Sequence, residues 1–283
     1  MQHKKVNCIN IIKSWINTVN INDAVNIIRH MVIANRNMKE KIQYQCELGN
    51  ECYIHGNNIR SQYICFSNVH TLLEGRKNKK YRYIINNSAM SLPDGMPLVW
   101  IGRKRGYLEM SRCAGNDVMN EVLKLSEKEG YTNFFYGCSP DTLNKLYDRL
   151  KKTYPRLKIA GMYSPPYTEL SSEQDKKIVD YINKAAPDIL WVGLGAPKQE
   201  IWMAEHADKI KGTVMLGVGA AFNFQAGTLK RAPVWMQKAG LEWLYRLIKE
   251  PKRLFKRYAV GNILFLYYLI QESILRMTGR EKN

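Results

Sequence analysis

The sequence lacks closely spaced cysteine pairs. Its 283 residues include six cysteines, and none of them form a C-x-x-C motif. They are Cys8, Cys46, Cys52, Cys65, Cys113 and Cys138. Scattered cysteines of this kind are typical of reduced thiols in a cytosolic protein, so we expect neither a disulfide framework nor a cysteine-bound metal.

Long hydrophobic runs are also missing. The N-terminus, MQHKKVNCINIIKSW, has basic residues but no uninterrupted apolar core and no small-residue cleavage site, which argues against export. The longest apolar run, 259–270, is interrupted by Asn262 and is shorter than the roughly 20 residues that a membrane-spanning helix needs. We therefore expect a packed or interfacial helix in a protein that stays in the cytoplasm.

Several catalytic motifs are absent. The chain has no P-loop, no H-E-x-x-H, no D-x-D followed by carboxylate clusters and no G-x-S-x-G. Its five histidines show no metal-ligand spacing, although His70 is a candidate for lining a binding crevice; they are His3, His30, His55, His70 and His206. We expect neither a bound metal nor a cofactor.

Acidic residues are scarce relative to basic ones. There are 25 Asp and Glu against 43 Lys and Arg, which gives a net charge of +18. Residues 230–283 alone carry 12 basic and 4 acidic side chains. Such a charge indicates a polyanionic partner, and nucleic acid, an anionic membrane face and phosphorylated substrates all qualify.

What is present between residues 63 and 222 is an alternation of β-rich runs with helical periodicity. The β-rich runs are YICFSN, SAMSLPDG, YTNFFYG, LKIAGMY, DILWVGLG and TVMLGVGAAF. Between them, 141–154 has a leucine stripe and 171–185 begins with a capping-box pattern, so both segments are expected to be helices. The pattern predicts an α/β fold, a Rossmann-like, mostly parallel sheet flanked by helices.

The two ends of the chain differ from this middle part. Residues 22–33 have the pattern of an amphipathic helix, while 34–62 are polar and contain turn signals, which suggests a loop or an insertion. After Pro233 the strand-like runs stop. We predict an α/β domain over 1–232 and a basic amphipathic helical appendage over 233–283.

The appendage has one apolar stripe. Leu241, Leu244, Tyr245 and Ile248 recur at helical spacing and are flanked by the basic side chains Arg246, Lys249 and Lys252.

Ligands of parallel α/β sheets bind beyond the carboxyl ends of the strands. Here those ends carry tight turns and polar side chains, around Asn68, Asp94, Gly137, Ser164, Gly195 and 217–223. They predict a crevice for a nucleotide or a sugar, although α/β turns also favour such residues for purely structural reasons.

Asp94, between Pro93 and Gly95, is the candidate general base, because a carboxylate there can take a proton from a hydroxyl nucleophile. The alternative is an ordinary Asp-Gly turn residue. Arg112 is expected either to bind phosphate or to support Asp94, and Asp117 to begin a helix.

The segment GLGAPKQEIW offers a second set of candidates. Its G-x-G is a weak match to a dinucleotide fingerprint, because the third glycine and the downstream acid are missing. Gln199 has an amide suited to a uracil or sugar edge, while Glu200 is suited to capping a helix.

Seven segments carry a resemblance when taken in order: NVHTLL, LPDGMPLVW, RCAGNDVM, YPRLKIAGMYSPP, VGLGAPKQEIW, GVGAAFNFQAG and KRAPVWMQKAGLEWLYRLIKEPKRLFKRY. Together they resemble the WecG/TagA/CpsF family of bacterial glycosyltransferases, glycosyltransferase family 26. The resemblance runs from about residue 63 to residue 258.

This resemblance implies an inverting, metal-independent enzyme of cell-surface polysaccharide synthesis. Such an enzyme moves a hexose from a UDP-sugar to an undecaprenyl-diphosphate-linked sugar at the inner face of the plasma membrane. The hexose is glucose, N-acetylmannosamine or its uronic acid. An anionic membrane surface is an expected partner, nucleic acid is not, and a homo-oligomer is left open.

Motif positions carry the family's roles onto this chain. Asp94 takes the position of the base, and the appendage arginines, thought to meet the lipid diphosphate, fall on Arg246 and Arg253, with Arg257 or Lys256 third. The remaining predicted substrate-binding residues are Ser67, Asn68, Arg112, Gly137, Gln199, Gly219 and Asn223.

Two positions depart from the family pattern. Phe66 replaces a threonine of the wall teichoic acid members, so that any role of the threonine is lost or moves to Ser67. Asn223 replaces the usual aspartate. Two other functions remain as alternatives at this point, a basic nucleic-acid-binding α/β protein and a non-catalytic membrane scaffold.

Overall fold

The structure is a computed structural model that describes residues 7–47 and 59–278. Its centre is a six-stranded parallel sheet with the order β4-β3-β8-β7-β5-β6. The strands are β3 (Gln62–Ser67), β4 (Met90–Pro93), β5 (Thr132–Gly137), β6 (Lys158–Tyr163), β7 (Ile189–Gly193) and β8 (Val214–Gly217). All six β-rich runs of the sequence form strands, and the predicted fold class is confirmed.

Helices cover both faces of this sheet, and four more helical segments and a π-helical turn follow it. They are α1 (Ile21–Glu47), α2 (Val69–Lys77), α3 (Lys79–Asn86), α4 (Met96–Lys104), α5 (Gly115–Glu129), α6 (Pro140–Thr153), α7 (Ser172–Ala185), α8 (Lys198–His206), α9 (Ala221–Ala226), α10 (Val234–Lys238), α11 (Glu242–Lys249), α12 (Pro251–Phe255), the π-helical turn Lys256–Val260 and α13 (Gly261–Met277).

The core has two main layers, one on each side of the sheet. On one side α1, α5, α6 and α9 bury Ile28, Val122 and Leu146 against the strands. On the other side α3, α7 and α8 bury residues such as Ile182 and Met203. Because both faces of the sheet are covered, its strands are apolar without alternation.

The first helix is longer than the sequence suggested. Residues 34–47 were expected to be a loop or an insertion, but α1 continues to Glu47; residues 48–58 of that segment lie outside the described residues. The polar part is held in place because Arg36 donates two hydrogen bonds to the buried carboxylate of Asp188 and one to the carbonyl of Gly130. A helical segment that offers few apolar contacts needs polar contacts of this kind to stay packed against the protein.

An antiparallel hairpin precedes α1 and was not predicted. It consists of β1 (Cys8–Ile11) and β2 (Ser14–Asn17). Ile11 and Ile16 are buried in a third cluster that includes Leu72 of α2, Leu98 of α4 and Phe265 of α13. Four-residue strands are too short to give a clear alternation of apolar and polar residues.

The last predicted β-rich run is only partly a strand. It was expected to continue to Phe222, but β8 ends at Gly217 and the helix α9 begins at Ala221. Phe222 is buried and packs edge-on against Phe135, so core packing explains its apolar character.

The described residues after Pro233 contain helices and no strand. The predicted amphipathic stripe lies on α11. The division into two domains at Ala232-Pro233 stays a prediction.

Helix α13 is held against the body of the protein. Phe265 is buried, and Glu272 accepts a hydrogen bond from the backbone of Ile12 and pairs with Arg105. One helical stretch of the described chain, Tyr258–Leu275, has the length and apolar composition of a membrane span. Its contacts with the hairpin hold one face of this helix against the protein, and the expectation of a packed or interfacial helix stays a prediction.

Candidate functional site

The carboxyl ends of the parallel strands form one polar edge. Following the order of the sheet, this edge carries Asp94 after β4, Asn68 after β3, Gly219 after β8, Gly195 after β7 and Gly137 at the end of β5. Since neighbouring strands lie about 4.8 Å apart, the strand ends at Asp94 and Gly137 are separated by about 19 Å. The edge is therefore long enough to hold an extended ligand.

The β3–β4 pairing fixes the position of Asp94. Ser67 is opposite Pro93 in the register, and the backbone N–H of Asp94 donates to the carbonyl of Ser67 at 2.8 Å. Asp94 is not the N-cap of α4, because Gly95 has that position. The carboxylate is therefore available for a role other than helix capping.

Asn68 contacts this carboxylate and caps a helix at the same time. Its Oδ1 accepts hydrogen bonds from the backbone N–H groups of His70 and Thr71 at the start of α2. Its Nδ2 donates to Oδ2 of Asp94 at 3.4 Å. Both ends of the amide are thus used, and the cap holds the donor that orients Asp94.

Burial raises the pKa of Asp94 above the usual range of an aspartate. The positive charge of Arg112 lowers this pKa, the negative charge of Glu242 raises it, and Asn68 and Arg246 lower it. Burial outweighs the arginines. A carboxylate with a raised pKa is a stronger proton acceptor, as a general base acting near neutral pH requires.

Arg112 supports the backbone of Asp94. Its Nε donates to the carbonyl oxygen of Asp94 at 2.8 Å, and its Nη2 donates to Oε2 of Glu242 at 2.6 Å. Of the two roles that the sequence left open, the structure has Arg112 in the supporting one.

Two further residues at this site were missed in the sequence. Arg231 pairs with Asp117 at the beginning of α5 and donates through Nε to Oε1 of Glu242 at 3.3 Å. Glu242 therefore lies between Arg112 and Arg231. The only signal in the sequence was an acidic residue in the first turn of a basic helix, and it did not reveal partners 11 and 130 positions away.

Arg246 lies one turn after Glu242 on α11, and its charge lowers the pKa of Asp94. Its Nε is buried and has no hydrogen-bond partner among the described residues, so it retains a donor for an anionic group. The side chains of Arg253 and Arg257 lie outside the described part, and their predicted contacts with substrate stay predictions.

Two of the predicted binding residues have side chains that face inward. Ser67 is fully buried and its Oγ is 2.7 Å from the Oγ of Ser91. Gln199 is also buried: its Nε2 donates to Glu200 and to the carbonyl of Gly217, and its Oε1 accepts from the N–H of Gly195. These two side chains stabilise the crevice from inside and offer a ligand no free polar group.

The backbone requires glycine at two positions along this edge. A Cβ on Gly137 would lie 2.7 Å from the backbone carbon of Gly193, which no side chain tolerates. Gly219 has a φ of +53°, in the left-handed region that favours glycine. Gly137 therefore packs directly against the backbone of β7, and Gly219 gives the turn after β8 a backbone conformation that other residues rarely adopt.

Asn223 lies near the end of β5. Its Nδ2 is 3.9 Å from Sγ of Cys138, and its Oδ1 accepts a hydrogen bond from Thr228. The structure thus brings Asn223 near Gly137, at the part of the edge far from Asp94. Its predicted contact with the donor stays a prediction.

No group of three or more His, Cys, Asp or Glu suited to a metal was found within 7–47 and 59–278. The expectation from the sequence that the protein binds neither a metal nor a cofactor remains a prediction.

The comparison with protein families decides which proteins this chain is related to. Residues 47–279 match the family described as Glycosyl transferase WecG/TagA/CpsF family. The chain belongs to this family. The resemblance seen in the sequence is thereby confirmed, and the chain is a glycosyltransferase by membership.

Comparison with individual proteins shows relatives of one name. The chain is 36% identical over 178 residues to the N-acetylglucosaminyldiphosphoundecaprenol N-acetyl-beta-D-mannosaminyltransferase of Bacillus subtilis (strain 168), covering 62% of this chain and 67% of that protein. Proteins of the same name from Bacillus spizizenii and Staphylococcus aureus (strain MW2) are 29% identical, over 69% and 67% of this chain and 74% and 72% of their own lengths.

The two functions of Asn68 can be separated by substitution. Serine caps helices about as well as asparagine but cannot reach Asp94 as an amide donor does. We expect Asn68→Ser to keep the melting temperature while raising the pKa of Asp94 further, because a hydrogen bond that lowers this pKa is lost. Carboxyl-carbon NMR titration of Asp94 measures the change.

Asn68→Ala is the matched comparison. It removes both contacts, and we expect it to raise the pKa of Asp94 and also to destabilise the protein by about 1 kcal/mol. An unchanged titration of Asp94 in both variants would contradict the assigned contact.

Proposed function

We propose that this chain is an inverting glycosyltransferase that moves a hexose from a UDP-sugar to an undecaprenyl-diphosphate-linked sugar in cell-surface polysaccharide synthesis. The observation that carries the proposal is the arrangement of Asp94, a carboxylate with a raised pKa, beside the guanidinium groups of Arg112 and Arg246. The family membership and the names of the relatives support the same reaction class.

The chemistry needs one base. Asp94 accepts the proton of the acceptor hydroxyl while the oxygen of that hydroxyl bonds to the anomeric carbon of the donor sugar. The bond between the anomeric carbon and the phosphate oxygen breaks, and UDP leaves with its electron pair. A single displacement from the opposite side inverts the anomeric configuration.

The departing diphosphate needs positive charge close by. We propose that the arginines of the appendage, Arg246 above all, supply it, because the Nε of Arg246 is buried without a hydrogen-bond partner in the described part of the chain. Arg253 and Arg257 belong to the same proposal through their positions along the chain. In this scheme the arginines do the work that a divalent metal does in other transferases.

The lipid part of the acceptor calls for a membrane surface, and α13 supports one. Its packed face holds Phe265, while its outer face is a continuous exposed apolar stripe at helical spacing, formed by Ile263, Leu266, Tyr267, Ile270 and Ile274. On the packed side of α13, the guanidinium of Arg76 lies over the ring of Tyr268. Each basic residue near an anionic leaflet adds about 1 kcal/mol of attraction.

We propose on this basis that the protein is peripheral on the cytoplasmic face of the plasma membrane. An anionic membrane surface then accounts for the net positive charge of the chain, and no nucleic-acid partner is needed. The names of the relatives make N-acetylmannosamine the first donor sugar to assay, followed by its uronic acid and glucose.

Removal of the base tests the catalytic scheme. We expect Asp94→Asn to lower kcat by about 100-fold or more, because general base catalysis contributes about 10²–10⁴-fold. The measurement is transfer from radiolabelled UDP-sugars to a polyprenyl-diphosphate-linked acceptor. Asp141→Asn, which alters an exposed aspartate on α6, is the matched control; near-normal transfer by a folded Asp94→Asn protein would refute the role.

Chelation tests the proposed role of the arginines. We expect the transfer rate to be unchanged in excess EDTA, because arginine side chains neutralise the leaving diphosphate. The same assay with added Mg²⁺ or Mn²⁺ is the control. A rate that collapses in EDTA and returns with the metal would overturn this part of the scheme.

Two charges on the exposed stripe test the membrane surface. Leu266 and Ile270 are 59% and 61% exposed, so Leu266→Glu with Ile270→Glu leaves the packing intact. We expect sedimentation with anionic liposomes to weaken at least tenfold, because each buried apolar side chain contributes about 1.5–3 kcal/mol. Tyr167→Glu, at a residue that is 93% exposed outside the appendage, is the control, and equal sedimentation of both proteins would exclude this stripe.

A further inference from the structure

Glu242 is an acidic residue held inside a basic segment. Its carboxylate is 13% exposed and accepts from Arg112 at 2.6 Å and from Arg231 at 3.3 Å. It is the first residue of α11. A nearly buried carboxylate costs free energy unless it is paired. These two contacts therefore fix the position of the first turn of α11 against the body of the protein.

Each of the two arginines connects Glu242 to a different part of the α/β body. Arg112 reaches the carbonyl of Asp94 with its Nε. Arg231 holds Asp117 in the first turn of α5 with its Nη2 at 2.8 Å. The first turn of α11 is therefore attached to the loop that carries the proposed base and to the helix beside it.

The same turn decides where Arg246 lies. Residues four apart share one face of a helix, so Glu242 and Arg246 point from α11 toward the same side. The charge of Arg246 acts on Asp94. If the first turn of α11 moves away, Arg246 moves with it, and Arg112 loses its second partner.

We propose that Glu242 is a positioning residue for the transfer reaction: its carboxylate clamps α11 onto Arg112 and Arg231 and thereby sets both Arg112 and Arg246 around Asp94. The proposal rests on the proposed role of Asp94 as the base. Glu242 itself touches neither donor nor acceptor in this scheme. It couples the position of the membrane-facing appendage to the catalytic carboxylate.

The negative charge of Glu242 changes the pKa of Asp94 in a definite direction. The charged and titratable groups that act on or lie beside Asp94 are Arg112, Cys113, Glu242 and Arg246. Among them Glu242 is the one whose charge raises the pKa of Asp94, while both arginines lower it. Neutralising Glu242 should therefore lower this pKa, so the base stays ionised to a lower pH.

The clamp itself is tested without any enzyme assay. Glu242→Ala should speed hydrogen exchange of the backbone amides of α11, because the helix loses its attachment. Glu272→Ala is the matched control: it removes another appendage glutamate that pairs with an arginine of the body, and it should speed exchange in α13 instead. Equal protection of α11 in the wild type and in Glu242→Ala would overturn the proposal.

The coupling to Asp94 is tested by the pH dependence of transfer. Glu242→Gln keeps the shape and a hydrogen-bond acceptor but removes the charge. We expect kcat/KM to fall on the order of tenfold to a hundredfold from misplacement, and its acid limb to move to lower pH. Glu272→Gln should leave the limb in place.

The two tests separate the possible failures. A loss of activity in Glu242→Gln with an unmoved acid limb would mean a merely structural contact and would refute the positioning role. If the wild type transfers none of the sugars, the proposed function fails, while hydrogen exchange still decides whether the clamp exists.

Discussion

The register between β3 and β4 is the constraint on which the site depends. Because Ser67 lies opposite Pro93, the residues that follow them, Asn68 and Asp94, leave the sheet side by side. Strand side chains alternate between the two faces, so a slip of one residue would move every side chain of β4 to the opposite face of the sheet. The pairing of a cap donor with a carboxylate is therefore protected by the hydrophobic core beneath it.

The hydrogen bond from Asn68 also holds the partly buried carboxylate of Asp94 without a direct ion pair to an arginine. Arg112 contacts the backbone oxygen of Asp94 and directs its other end to Glu242. The positive charge stays near the carboxylate but does not form a salt bridge with it. Burial then prevails and keeps the pKa raised, whereas a bidentate arginine pair would lower it.

The sequence was sufficient for the central architecture because the six strands are buried on both faces and their runs are separated by helical patterns. It predicted α11 because Leu241, Leu244, Tyr245 and Ile248 recur at helical spacing. It missed the hairpin β1–β2, whose strands are four residues each, and the second half of α1, where Arg36 and Asp188 replace apolar packing. Periodicity carries no information about such long-range pairs.

The same limit applies to the site. The turns identified Asp94, Asn68 and Arg112, which the structure brings together. The turns did not show that the side chains of Ser67 and Gln199 point inward. Their polar groups form hydrogen bonds within the protein. Glu242 and Arg231 were missed because their partners are distant along the chain, and only the fold brings them into contact.

The contact between Glu272 and the backbone of Ile12 joins residues 260 positions apart. During synthesis the hairpin emerges from the ribosome before α13, the helix that covers its apolar cluster. Contacts of such long sequence separation form slowly, and an uncovered cluster is a site for association with other chains. The nascent protein therefore carries an unsheltered apolar surface until α13 has been made, and chaperones or the membrane itself are the natural means of shielding it.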